Sequence, residues 1–98
     1  MNPSLIDKIE VMFPASQCKV VLTLLETECG VLLPDVRSLG IDGIERVRCA
    51  VVKVSCGSVD RLNALVQSAK SDWRDVLVAA DFANDPSSHR AWLNGKGP

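Results

Sequence analysis

The chain has 98 residues, 47% of them apolar and 23% charged, with a formal net charge of −1. That length supports one hydrophobic core without staples, and the composition is that of a globular domain rather than a disordered one. The 11 basic residues are scattered, most within a few positions of an acid, so there is no basic stripe to follow a phosphate backbone and no nucleic-acid partner is expected.

No stretch approaches the ~18 apolar residues needed to span a bilayer. The opening MNPSLIDKIEVMF carries Asp7, Lys8 and Glu10 where a signal peptide would need an unbroken apolar run. The expectation is a soluble, cytoplasmic protein with no membrane partner. The four cysteines, Cys18, Cys29, Cys49 and Cys56, include no Cys-x-x-Cys, and the only histidine is His89. They read as reduced, small core residues rather than disulfide partners or zinc ligands, and no metal or cofactor is expected.

Helical periodicity runs through the chain. Ser4 is placed to cap a first helix, with Asp7 three positions on; Leu5, Ile6, Ile9, Met12 and Phe13 share a face, and Pro14 closes it. Ser16 opens a second helix, QCKVVLTLLETEC, which Gly30 ends. Cys18, Val21, Leu22, Leu25 and Cys29 form its main stripe, while Val20 and Leu24 make a second, smaller apolar edge. GVLLPDVRSLGID reads as a loop with one short turn around residues 34–38, pinned to the core by Leu32, Leu33 and Val36.

Within residues 42–54, DGIERVRCAVVKV, the stretch VRCAVVKV (47–54) has β-branched content suited to a strand, but Ile44, Val47, Ala50, Val51 and Val54 fall at helical spacing. A helix capped by Asp42 is expected. Cys56-Gly57-Ser58 is a break, and Ser58 caps the next helix, with Leu62, Leu65, Val66 and Ala69 as its stripe. Ser71 is placed to cap another, DWRDVLVAADF; the two stripes are in phase, so one bent helix over 59–82 is the alternative. Asp85-Pro86 begins a short last helix that Gly95 ends. The sum is an all-α, compact single-domain bundle of five or six short helices over residues 1–94, with 95–98 as a flexible tail.

The stretch Asp72-Trp73-Arg74-Asp75 holds the densest polar chemistry. On a wheel, Trp73, Val76, Leu77 and Ala80 cover one face and Val78, Ala79 and Phe82 much of the other, so the helix is buried on both sides or lies at an interface. Acids in a first turn suit the helix dipole, Trp73 anchors the start, and Arg74 can reach Asp81 or another helix. The alternative is a docking surface, in which Asp72, Arg74 and Asp75 flank Trp73. Glycine-rich phosphate loops and nucleophile-elbow or His-Glu-x-x-His motifs are absent. His89, one turn before Trp92 and Leu93, reads as a half-buried helix residue.

ERVRCAVVKVS (45–55), followed by RLNALVQSAKSDWRDVLVAADFANDPSSHRAW (61–92), resembles a set of small bacterial proteins of unknown function. The likeness rests on the Glu45-Arg46 pair, Lys53-Val54-Ser55, the Asp-Trp-Arg-Asp stretch, and the His89 and Trp92 that follow. It covers about the C-terminal half and implies a bacterial, cytoplasmic origin but no activity.

The leading functional expectation is a non-catalytic protein-interaction or regulatory module, binding a protein partner or forming a homodimer. Its candidate interaction residues are Asp72, Arg74, Asp75, Val78 and Phe82, with Val20 and Leu24. The runner-up is a small enzyme or accessory subunit with a site between helices, in which His89 works with a cysteine. A helix-turn-helix nucleic-acid binder stands third.

Overall fold

A computed structural model of the chain describes residues 1–95. Among the described residues there are five helices, α1 (Pro3–Met12), α2 (Ala15–Glu28), α3 (Val36–Ser55), α4 (Val59–Ala79) and α5 (Ser88–Asn94), and no strand. The expected flexible tail falls, apart from Gly95, outside these residues. The all-α bundle is therefore what the sequence forms, and the ambiguous segment 47–54 is helix.

The first two helices are divided by proline chemistry. Pro3 occupies the start of α1, where its fixed φ suits the helix, and Asn2 rather than Ser4 is the cap: its Oδ1 accepts from the Ser4 N–H at 2.7 Å. Phe13 is extended (ψ 148°), as the residue before a proline must be, and α2 begins directly after Pro14, with Ser16 inside its first turn. The main stripe of α2 is buried at Val21, Leu25 and Cys29, with Cys18 and Leu22 half-buried beside it.

The expected loop over 30–42 is shorter than the sequence suggested. α3 begins at Val36, breaks at Gly40 (φ 66°, ψ −177°), and then runs on to Ser55. Only glycine takes that backbone conformation at low cost, so Gly40 lets helix resume without a loop. Asp42 is not the cap; it lies past the break, and its carboxylate pairs with Arg90 of α5 at 2.9 Å. Leu33 is buried as expected, Val36 is half-buried, and Leu32 is exposed.

α3 is the central helix. Val47, Ala50 and Val51 are buried as the spacing predicts, and Cys49 and Val52 are buried as well, because α4 and α5 both pack against it. The turn after it depends on Gly57 (φ 82°): a Cβ there would lie 2.5 Å from the Met12 carbonyl oxygen. Ser58 then caps α4, its hydroxyl accepting from the Arg61 N–H at 3.2 Å.

α4 runs through the junction at 71–72 without a loop but is broken at Asp72 (φ −157°, ψ 102°). Asp72, not Ser71, caps the second half, accepting from the Arg74 N–H at 3.1 Å. The helix ends in a left-handed reversal at Asp81 (φ 63°). There the Phe82 N–H reaches back to the Leu77 carbonyl at 2.9 Å and the Asp81 N–H to that of Val78 at 3.1 Å. The Asp85 carboxylate accepts from the Ser87 N–H and hydroxyl, and this turn delivers the chain into α5. No helix among the described residues is long and apolar enough to cross a membrane.

Candidate interaction surface

The Asp72-to-Asp75 stretch resolves into separate local tasks. Asp72 caps a half-helix. Trp73 is half-buried and its indole N–H donates to the Pro34 carbonyl at 2.9 Å, tying α4 to the α2–α3 connection. Arg74 lies 5.6 Å from the Trp73 ring and pairs with Asp72 at 3.7 Å, not with Asp81; both partners are exposed, so the pair is weak. Asp75 faces solvent and Val78 is 67% exposed.

Phe82 is the clear departure from the expected surface. It is 2% exposed, because the chain leaves the helix at Ala80 and the reversal at Asp81 turns the next residue into the core. The Arg46 guanidinium donates to the Phe82 carbonyl through Nε (3.0 Å) and Nη2. The Lys53 ammonium lies 4.8 Å from the ring centre while donating to Ala80 at 2.8 Å. The rings of His89 and Trp92 stand 6.5 Å and 6.1 Å away at steep angles. Phe82 is thus the aromatic hub that holds α5, not part of an outer face.

Val20 is 50% exposed and Leu24 half-buried, as their position off the main stripe predicts. They line a shallow, mostly apolar groove of about 490 Å³ along α2, with Ser16, Lys19, Thr23, Thr27 and Glu28. None of the residues singled out in 72–82 lines it.

His89 is more buried than expected, at 1% exposure, and neither ring nitrogen has a hydrogen-bond partner among the described residues, so no thiol is bonded to it. Burial holds its imidazole below the ordinary histidine range, against the opposing pull of the Glu45 carboxylate. All four cysteines are free thiols: Cys29 and Cys49 are buried, Cys18 is half-buried and Cys56 is exposed. Burial pushes Cys29 up to about 12, Arg48 opposing, and Cys49 up to about 12, with Glu45 adding to the rise. Both are thiols rather than thiolates at neutral pH. No cluster of three or more metal-ligating side chains is found among the described residues.

A second groove also has a volume of about 490 Å³. It lies where the start of α1, the end of α2 and the start of α3 meet, and Val31 and Ile41, both inside the segment read as loop, stand on its rim. They are 79% and 88% exposed. Past the break at Gly40, Ile41, Glu45 and Arg48 fall at i, i+4 and i+7 on one helix face. Arg48 crosses the end of α2, its Nε donating to the Cys29 carbonyl at 2.8 Å. It packs so closely over Gly30 that a Cβ there would sit 3.0 Å from Nη2. Glu45 turns one oxygen, Oε1, into the protein, where it is buried without a hydrogen-bond partner. The groove is therefore lined by exposed apolar side chains together with Glu26, Glu45 and the Arg48 guanidinium. The signal in the sequence was the i, i+4, i+7 spacing from Ile41, which becomes readable only when Gly40 is taken as a break within a helix. No protein-family model, curated protein or solved structure matches the chain.

Proposed function

We propose that this chain is a protein-binding module that works without covalent chemistry, seating an apolar segment of a partner in the groove between the end of α2 and the start of α3. The observation that carries the reading is the exposure of Val31 and Ile41 on the rim of one cavity. A branched aliphatic side chain left in water forgoes ~1.5–3 kcal/mol that burial would return, and clustered exposed apolar residues of this kind mark binding sites. The volume of about 490 Å³ would hold a few apolar side chains. Arg48 beneath them carries guanidinium donors for the partner's backbone carbonyls. The buried, protonated thiols and the histidine unattached to any of them favour binding over nucleophilic chemistry. Free thiols fit a reducing compartment such as the cytoplasm.

The test compares affinity capture from lysate of the source cells by the native chain, Ile41→Asp, and Val11→Asp, which alters an exposed apolar residue of α1 outside the groove. A partner retained by the native chain and Val11→Asp but lost with Ile41→Asp supports the reading. Equal retention by all three, with circular dichroism unchanged, removes it.

A further inference from the structure

We infer that α2 pairs with α2 of a second copy of this chain, antiparallel across a two-fold axis, with Lys19 of each copy set against Glu28 of the other. This surface is separate from the groove at Val31 and Ile41.

The inner face of α2 is spent on the core at Val21, Leu25 and Cys29. The outer face is mostly apolar, with Val20 half-exposed and Leu24 beside it. Two features make it fit to be covered. Thr23 and Thr27 are small, so a second helix can approach closely along the middle of the groove. The Thr27 hydroxyl already donates to the Thr23 carbonyl at 2.8 Å, so its own donor stays satisfied when the face is covered.

The charges select the occupant. Lys19 and Glu28 are the ionised side chains lining this groove, one towards the helix start and one at its end. Lys70 (3.0 Å) and Gln67 (3.2 Å) hold the Glu28 carboxylate in place. A face with one cation and one anion at opposite ends is complementary to itself when turned end for end, which is what a two-fold axis requires. With the axis between Thr23 and Leu24, Lys19 meets Glu28, Val20 meets Thr27, and Thr23 meets Leu24, and the same pairs recur on the other side. A parallel pairing would set Lys19 on Lys19 and Glu28 on Glu28. Opposed helix dipoles also favour the antiparallel arrangement.

The experiment measures mass in solution by analytical ultracentrifugation at tens of micromolar, on the full chain, with circular dichroism to confirm folding. The native chain is expected at twice the 10.6 kDa of one copy. Lys19→Glu alone should weaken association by about ten-fold or more, since each copy then presents two acids. Glu28→Lys is made together with Lys70→Glu, which keeps the intrachain pair with its sign reversed, and it should weaken association equally. An equimolar mixture of the two variants should recover the dimer, because every contact is again between opposite charges. A native chain that stays monomeric overturns the inference. So does a dimer insensitive to both variants, or a mixture that fails to associate.

Discussion

Replacing Phe82 by alanine tests the claim that this residue is an internal hub. The ring is almost fully enclosed and has the rings of His89 and Trp92 within 6.5 Å and 6.1 Å. The bonds from Arg46 go to the main-chain carbonyl and survive the change, so the loss is that of the ring alone. A buried phenylalanine truncated to alanine costs ~3–5 kcal/mol through lost transfer energy and the cavity left behind. Against a total stability of ~5–15 kcal/mol, that is a large share. One kcal/mol moves the midpoint by ~4–8 °C in a domain of this size, so Tm should fall by more than about 12 °C. Thermal unfolding followed by far-ultraviolet circular dichroism reads this directly. The emission of Trp92 should also shift towards that of exposed indole as α5 loosens. If Phe82→Ala keeps its Tm within a few degrees, the residue is not internal, and an outer apolar face on this part of the chain returns as the better account.

Three further outcomes follow from the same structure. Burial lowers the His89 pKa below its unfolded value of 6.5, so the unfolded chain binds the extra proton more readily. Stability is then complete above that pH and is lost as pH falls below it. Urea midpoints measured between pH 7 and 5 should decline for the native chain and stay flatter for His89→Leu; identical slopes would assign the effect elsewhere. The depressed carboxyls of Glu28 and Asp85 act in the same direction but at lower pH, in the carboxylate range. Among the thiols, Cys56 should label rapidly in the native protein, while Cys29 and Cys49 react only on unfolding; mass spectrometry after a short exposure to iodoacetamide distinguishes them, and early modification of Cys49 would contradict its burial. Gly57→Ala should destabilise by on the order of 1–3 kcal/mol from backbone strain, and the clash with the Met12 carbonyl adds to this. A variant as stable as the parent in denaturant would show that the turn has another conformation open to it.

The sequence by itself determined the helices and most of what they bury. Apolar spacing marked the inner faces of α2, α3 and α4, Phe13-Pro14 divided the first two helices, and Ser58 marked a start whose cap bond forms as expected. These are local effects, set by period and by the few residues with unusual backbone chemistry. The tertiary structure decided three things that local rules could not. Asp81, a non-glycine residue, takes a left-handed conformation because the reversal it makes is stabilised by burial of Phe82, and that removes Phe82 from the outer face. His89 is enclosed rather than half-buried because the Phe82 ring stands edge-on to it and α3 packs against its helix. Val31 and Ile41 share one groove where Arg48 ties the end of α2 to α3, bringing together residues ten positions apart across a connection whose own sequence pattern carries no period. Periodicity reports which side of an element is apolar; which apolar residues are left in water depends on how the elements are docked.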